Sequence, residues 1–316
     1  MCDRLHDRYL KKHHKISRAF GEFLLKSKCQ SSDLGSTSFC CRDPPSPDGL
    51  IKHWRAQRLG LDQCGTVPFG GKILEGQEAG LGQYPWMVNL MYYLRKIKTS
   101  ICSGSLIHPV YVLTSAHCSK RGAKPVSVRL GEYDRSTRID CEDGVCATPF
   151  KEYYVDEWIP HEYYRHGHRT HDIALIRLDR PVPLVPRQIY PICLPLTEQM
   201  LMTKPSQLTV TGWGLTEEQT QSNVLQEVSL QVMGTSEYCQ HAELICARGR
   251  NNEGHCRGDS GGPLQKVMPY NGSFKTVLFG VVSGGSVECS TQDKTPGVST
   301  MVGYHIRWIL DHMKYV

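Results

Sequence analysis

No stretch of this chain approaches the ~20 consecutive apolar residues that a membrane-crossing helix needs, so nothing in it spans a bilayer. No two of its cysteines form a Cys-x-x-Cys pair, which speaks against a zinc site and against a thiol redox centre. The opening Met-Cys-Asp-Arg lacks the apolar run of a secretory signal, so the start reads as incomplete. The larger part of the chain has no excess charge of either sign. Residues 73–316 hold 24 Lys/Arg against 24 Asp/Glu, which offers no footing for nucleic acid. Residues 1–72 hold 13 against 7, a basic balance that reads as a solvated charged face rather than a contact with an anionic partner.

What is present is a full set of cysteines. Fourteen are spread over the 316 residues, which points to disulfides and an oxidising compartment. The length suggests roughly two domains. Residues 1–44 are rich in Lys and His, and Leu5, Tyr9, Ile16, Phe20 and Leu24 recur with poor helical period. The segment ends on the adjacent pair Cys40-Cys41. Neighbouring cysteines do not readily bond each other, so these two tie the segment to two separate places. Residues 45–72 read as a linker ending in a Gly-rich stretch, Gly70-Gly71-Lys72-Ile73. Lysine in such a stretch is open to a trypsin-like protease, or is a plain loop lysine.

Beyond Tyr84-Pro85-Trp86 the chain breaks into short apolar runs between turn signals. They lie at 87–91, 105–107, 111–114, 126–130, 173–176, 208–211, 228–230 and 277–282. Many short strands with few helical stretches predict an all-β barrel or sandwich. At the end Tyr304, Trp308, Ile309 and Met313 recur at helical spacing and predict one amphipathic helix.

The chemistry concentrates in Gly258-Asp259-Ser260-Gly261-Gly262-Pro263, with Cys256 ahead of it. A serine hydroxyl is a weak nucleophile at neutral pH. It needs an exposed turn, a nearby base, and donors aimed at the developing oxyanion. The flanking glycines supply the turn, and the N–H groups of Gly258 and Ser260 can converge on one carbonyl oxygen. Asp259 has no cation beside it in sequence, so one must be brought to it. Cutting after Lys72 would create a new ammonium on Ile73, a candidate for that role. Thr114-Ser115-Ala116-His117-Cys118 puts an imidazole at the end of a strand. His171-Asp172-Ile173-Ala174-Leu175 puts a carboxylate at the mouth of an apolar strand, where it must be paired or hydrogen-bonded. Holding His117 in the right tautomer would satisfy Asp172.

These motifs, with Thr211-Gly212-Trp213-Gly214 and in this order, resemble those of the chymotrypsin-like serine endopeptidases over residues 73–316. The resemblance implies two six-stranded antiparallel β-barrels with the reacting groups between them. It implies Ser260 as nucleophile, His117 as base then acid, Asp172 as its orienter, and Ser283 as support for Asp172. The oxyanion hole would be the Gly258 and Ser260 N–H groups, and Ile73 would pair with Asp259 after the cut at Lys72. The implied disulfides are Cys64–Cys193, Cys102–Cys118, Cys239–Cys246 and Cys256–Cys289. Cys141 and Cys146 remain and are close enough in sequence to close a small loop. That loop, with Leu130-Gly-Glu-Tyr-Asp134 before it, is similar to the clip-domain proteases of arthropods. Cys2, Cys29, Cys40 and Cys41 match the third to sixth cysteines of a clip domain, so residues 1–44 read as an incomplete clip domain, with Cys2–Cys41 as one pairing the family pattern allows. The expected organisation is therefore clip at 1–44, linker and activation segment at 45–72, and protease domain at 73–316.

The chain departs from the trypsin-like pattern at the substrate pocket. Gly254, followed by His255, stands where those members carry an Asp that binds Arg or Lys. A buried cationic side chain without a counter-charge is expensive. Gly254, Gly285 and Gly297 leave an open pocket suited to a large apolar residue, a chymotrypsin- or elastase-like preference. Glu253, one position off, restores acidity if the loop shifts, and His255 is the footing for a polar or acidic residue. Gly284 replaces the tryptophan that follows Ser283 in the family, which removes an aromatic wall.

Three weaker signals complete the reading. Glu132, Asp134, Asp140, Glu142 and Asp143 crowd one loop, which suits either calcium, held by Glu132, Asp140 and Glu142, or a solvated acidic hairpin. No cofactor is otherwise required. Asn271-Gly272-Ser273 is a glycosylation sequon. His161, His166, His168 and His171 read as a solvated polar loop rather than a metal site. The expectation is a secreted zymogen acting in an extracellular cascade of immunity, melanisation or development. Its partners would be a protein substrate (a downstream zymogen or a cytokine precursor), an upstream trypsin-like activator and a serpin-type inhibitor. The rival expectation is a catalytically weak or silent homologue acting as a binding cofactor.

Overall fold

The computed structural model describes residues 28–29, 38–39, 56, 59, 63–65, 77–119, 123–202, 204–215, 220–234, 239–249, 258–270, 272–284 and 295–314. Several expectations fall outside them: Lys72 and Ile73, Gly254, His255 and Gly285, the Cys256–Cys289 and Cys2–Cys41 pairings, and Asn271. Within residues 1–44 only a short antiparallel ladder is described, β1 (Lys28–Cys29) with β2 (Ser38–Phe39).

After β3 (Gln77–Glu78) the chain builds a first barrel from β4 (Met87–Leu94), β5 (Ile97–His108), β6 (Tyr111–Thr114) and β7 (Ser127–Leu130). A small hairpin, β8 (Cys141–Glu142) with β9 (Val145–Cys146), projects before the barrel is completed by β10 (Lys151–Pro160) and β11 (Ala174–Leu178). The ring closes in the order β10-β11-β6-β5-β4-β7. A short helix α1 (Glu198–Met202) then leads to the second barrel. Its strands are β12 (Gln207–Gly212), β13 (Gln226–Val232), β14 (Leu244–Arg248), β15 (Pro263–Tyr270), β16 (Ser273–Gly284) and β17 (Gly297–Met301). They run β12-β15-β16-β17-β14-β13, and β12 also pairs with β13, so six strands form a ring with β3 added on the outside of β13. Helix α2 (Val302–His312) closes the chain on the predicted apolar face, with Val302, Ile306, Ile309 and Leu310 buried. Every apolar run read from the sequence lies in or against a strand.

Four strands escape that reading, for local reasons. β10 carries Lys151, Glu152, Asp156 and Glu157 because most of the strand is only half buried. β15 contains two prolines, and β17 is small and polar. In β17, Ser299 and Thr300 are buried all the same, since the strand sits between β14 and β16. β14 is the exception: its run Leu244-Ile245-Cys246-Ala247 is as long as that of β6, and nothing local accounts for its escape.

Closed rings leave no unpaired sheet edge, and each fills its interior with side chains. The first core is built on Leu90, Tyr92, Leu106, Val112, Leu113, Leu130 and Leu175, all fully buried. The second holds Leu208, Leu230, Ile245, Leu264, Val277 and Phe279. Buried polar links join the two. Trp86 Nε1–H donates to Gln265 Oε1 at 2.7 Å, and Gln265 Nε2–H reaches Thr211 at 3.2 Å. Ser103 N–H donates to the Ser260 carbonyl at 2.8 Å, and Ser115 O–H to the Val282 carbonyl at 2.6 Å. These links fix the register of one barrel against the other where β6, β11 and the Ser260 turn meet.

Four disulfides are present among the described residues, and all four agree with the sequence reading. They are Cys64–Cys193, Cys102–Cys118, Cys141–Cys146 and Cys239–Cys246. The first spans 129 residues and ties the segment ahead of β3 to the end of the first barrel. Among the described residues no helix is long and apolar enough to cross a membrane.

Candidate active site

His117 lies in the single helical turn Ala116–Cys118 that follows β6. The Cys118 sulfur anchors this turn to Cys102 on β5, and Tyr92 O–H donates to the Cys118 carbonyl at 2.7 Å. Asp172 precedes β11, whose residue Ala174 pairs with Thr114 at the end of β6. The register of two neighbouring strands thus brings together residues 55 apart in sequence. Asp172 Oδ1 accepts the His117 backbone N–H at 2.8 Å, and Oδ2 accepts the imidazole Nδ1–H at 2.7 Å. A carboxylate in this position can only accept, which assigns the Nδ1–H tautomer and leaves Nε2 with a lone pair.

The second barrel completes the cradle. Ser283 O–H on β16 donates to Asp172 Oδ2 at 2.5 Å, and Thr300 O–H on β17 donates to the Asp172 backbone carbonyl at 2.9 Å. Asp172 is almost fully buried, while the His117 ring is about one-fifth exposed. A buried charge that gathers three hydrogen bonds is tolerated, whereas an unpaired one is not.

Ser260 sits in the turn ahead of β15. Its carbonyl accepts Ser103 N–H and lies 3.8 Å from the Cys118 sulfur, so the turn abuts the His117 segment. Gly261 has φ +81°, and a Cβ there would fall 2.1 Å from Thr114 Oγ1 and 2.2 Å from the Ser103 carbonyl oxygen. Only glycine lets the turn close this tightly against the first barrel. The N–H groups of Gly258 and Ser260 are not taken by any carbonyl of the described residues.

The Asp259 side chain turns away from Ser260 into a socket of the Gly212-Trp213-Gly214 strand end. It is buried, and Oδ1 accepts the Gly214 N–H at 2.9 Å. A Cβ on Gly212 would lie 2.0 Å from Asp259 Oδ1, and one on Gly214 2.5 Å from Oδ2. Arg135, whose guanidinium donates to the Ser222 carbonyl at 2.5 Å, lies near Asp259; burial lowers its pKa, and the Glu132 and Asp259 charges oppose that.

The arrangement suits acyl transfer, and comparison with known proteins agrees. A model of the family described as Trypsin matches residues 73–309. The chain is 35% identical to the serine protease grass of Drosophila melanogaster, over 95% of this chain and 82% of that protein. It is 33% identical to the CLIP domain-containing serine protease HP8 of Bombyx mori, over 90% of this chain and 83% of that one. The chain is a clip-domain serine protease of the trypsin family. A crystal structure titled as the Drosophila Grass clip serine protease of the Toll pathway superposes with a TM-score of 0.75 at 31% identity, covering 99% of this chain and 92% of that one. The two-barrel fold and the serine endopeptidase activity expected from the motifs are those of this family.

Other site expectations fare differently in this clip-domain protease. Gly284 and Gly297 lie on β16 and β17, and a Cβ on Gly284 would meet nothing within 4 Å, so the missing aromatic wall leaves open space. Glu132, Asp140 and Glu142 do not converge. Among the described residues the only trio of potential ligand atoms lying within 4.8 Å of one another is Cys102, His117 and Cys118, whose two sulfurs form a disulfide. Asp140 is committed to its own loop, through Tyr133 N–H at 3.1 Å and Thr137 O–H. Glu142 turns to Leu81 N–H at 2.8 Å. Glu132 is the exception, buried with neither carboxylate oxygen hydrogen-bonded.

The histidine loop needs correction. His166 and His168 are exposed, but His161 is buried. It packs against His171 (4.8 Å between ring centroids), His305 (5.1 Å) and Trp308 (5.0 Å). Burial, reinforced by the neighbouring His305, pushes its pKa down to about 4, so it stays neutral at physiological pH. The sequence pattern misses this because the apolar cover comes from α2, far along the chain. It also misses Glu243 and His305, buried charged or polar residues beside Asp172.

Proposed function

We propose that this clip-domain protease is a secreted zymogen, cut after Lys72, whose Ser260, His117 and Asp172 act together as nucleophile, base and orienter. Ser260 Oγ attacks the scissile carbonyl carbon while its proton passes to His117 Nε2. The Gly258 and Ser260 N–H groups receive the oxyanion. His117 then gives its proton to the departing amine as the C–N bond breaks, and water repeats the sequence on the acyl-enzyme. The observation that carries this reading is the double grip of Asp172 on His117, through Nδ1 and the backbone N–H together. It fixes both the tautomer and the position of the ring.

Cleavage after Lys72 makes an ammonium on Ile73, which pairs with Asp259 and orders the turn that presents Gly258 and Ser260. The open ground around Gly284, with glycine at 254 and 297, favours a large apolar residue before the scissile bond. Four disulfides spread over residues 64–246 support an oxidising, extracellular setting. The names of its relatives point to immunity: one is a melanization protease of Drosophila melanogaster, another a phenoloxidase-activating factor of Holotrichia diomphalia. By that likeness the substrate is a downstream zymogen or cytokine precursor, the activator a trypsin-like protease and the inhibitor a serpin.

The test is to cut the purified chain after Lys72 and offer it a serine-directed phosphonate and a peptide library. Ser260 is expected to be labelled only in the cut form, with cleavage after large apolar residues. A cut form that stays unlabelled instead supports a binding cofactor. A strong Arg/Lys preference overturns the pocket reading alone.

A second reading, a structural calcium ion at the Glu132 loop, rests on the buried carboxylate of that residue, which receives no hydrogen bond and has only the Arg129 guanidinium, 3.7 Å away, beside it. Burial raises its pKa to about 7, the Asp140 charge adds to the rise, and Arg129 and Arg135 oppose it. A hard cation would hold the ionised form at this loop. A folded-state pKa above the unfolded value gives stability that is full below the unfolded pKa and lost as pH rises through about 7. In chelator the thermal midpoint should therefore fall between about pH 5 and 8. Calcium should abolish that fall, and Glu132→Gln should flatten it without calcium. Superimposable melting curves with calcium and chelator at about pH 8, above that titration, would dispose of the ion.

A further inference from the structure

The backbone leading into Asp172 is held in an unfavourable shape. His171 has φ +57°, a left-handed conformation that non-glycine residues seldom adopt. Immediately after it, Ile173 N–H donates to the His171 carbonyl at 2.9 Å, a three-residue turn centred on Asp172 itself. Histidine tolerates this conformation better than most side chains but still at a cost, which the surroundings must offset.

Glu243, at the start of β14, supplies the restraint. One oxygen, Oε2, accepts the His171 backbone N–H at 2.8 Å and the His305 Nε2–H at 3.0 Å, and lies 3.8 Å from His171 Nδ1. Glu243 and His305 are both buried. The Glu243 backbone is itself fixed, since its carbonyl accepts Met301 N–H at 2.7 Å where β17 meets α2. Burial alone would raise the Glu243 pKa, but the hydrogen bonds from His305 and His171 outweigh it and hold the group ionised. The other titratable groups packed here are His161, Glu162 beside it, Tyr163 against the His161 and His171 rings, and Tyr304 against the His305 ring. Lys204 also reaches the neighbouring Leu244 carbonyl, at 2.5 Å.

We propose that Glu243, braced by His305, is a positioning residue for catalysis: it clamps the left-handed His171 and thereby sets where the Asp172 carboxylate meets His117. The clamp comes from the second barrel and its helix, and it acts on the first. Thr300 on β17 grips the other side, at the Asp172 carbonyl. The proposal deepens the assignment of Asp172 as orienter and rests on it.

The test compares Glu243→Gln with the His171→Gly, Glu243→Gln double variant, both cut after Lys72 and corrected by titration of labelled Ser260. Glutamine keeps the shape but removes the charge that holds the His171 N–H and His305 together. We expect kcat to fall about tenfold at unchanged KM, with the acid limb of the pH profile moving down because His117 loses part of its support. Glycine adopts positive φ freely, so the double variant should recover most of kcat and the limb. Unchanged kcat and acid limb in Glu243→Gln overturn the proposal, and so does a folded double variant that shows no recovery. Should Glu243→Gln alone not fold, the double variant decides: an active enzyme supports the clamp, while an inactive or unfolded one assigns Glu243 to the core. Asp172→Asn, run alongside, tests the underlying assignment separately.

Discussion

Asp172→Asn should lower kcat of the cut enzyme by about 10⁴-fold while KM changes little. Three donors converge on this carboxylate: the His117 backbone N–H, its Nδ1–H, and the Ser283 hydroxyl. An asparagine keeps one oxygen and presents an NH₂ to the remaining donors. The cheapest relief is for His117 to move its proton to Nε2, so that Nδ1 accepts from the amide. On the proposed mechanism the ring then has no lone pair left at Nε2 to take the Ser260 proton. The fold should survive, because size is conserved and the backbone link from Thr300 to residue 172 does not involve the side chain. The measurements are kcat and KM on a peptide substrate, with a thermal midpoint to show that the protein is folded. A loss under tenfold in folded protein would mean that Asp172 does not set the tautomer. Ser283→Ala, which removes one of the three donors and leaves the tautomer intact, should cost far less, on the order of the 1–3 kcal/mol of a lost bond to a charge.

Asp259→Asn should leave the uncut chain unaltered and reduce kcat/KM of the cut form by roughly 10²–10⁴-fold. Breaking one partner of a buried ion pair costs about 3–5 kcal/mol, and each 1.36 kcal/mol is tenfold. The socket is shaped for a side chain of this size and no larger, with Gly214 N–H donating and both flanking glycines in close approach. Asparagine fits the space but offers the Ile73 ammonium no charge. Gly214→Ala should do comparable harm by another route, because its Cβ would come within 2.5–2.6 Å of three Asp259 carboxylate atoms and drive the side chain out. The cut variants can be read by their rate of phosphonate labelling at Ser260, which reports a formed oxyanion hole without needing a substrate. Equal labelling rates for wild type and Asp259→Asn would detach this carboxylate from activation. The Arg135 guanidinium makes the comparison informative, since it lies near Asp259 already in the uncut chain.

Much of the site is legible along the chain, because its chemistry is written in short contiguous motifs. Gly258 to Pro263 holds a candidate nucleophile, its turn and its hole within six residues. Ala116-His117-Cys118 and Asp172-Ile173-Ala174-Leu175 each carry one titratable group at the end of a strand. Strands with a continuous apolar run, such as β6 and β11, are legible too. Strands such as β10 and β17 are not. Their side chains answer to neighbours from elsewhere in the chain, and a half-covered or polar-filled strand has no periodicity that separates it from loop. The acidic loop is legible only as a crowd of carboxylates. Glu132, Asp140 and Glu142 look equivalent in sequence, yet the fold gives Asp140 and Glu142 backbone N–H donors and leaves Glu132 with none, only the Arg129 guanidinium 3.7 Å away.

By itself the sequence determined an all-β barrel or sandwich through its short runs and, through family likeness, the two-barrel architecture, the reaction class, the three residues proposed to act together, and the four disulfides seen among the described residues. Those depend on residue type and local spacing. The tertiary structure alone decided what surrounds them: that Thr300 reaches Asp172 across 128 residues, that His161 is buried under α2, and that Glu243 holds the strained His171. Contacts made when one closed ring docks on another depend on strand register and on the angle of packing. Neither leaves a mark in the order of residues along a single strand.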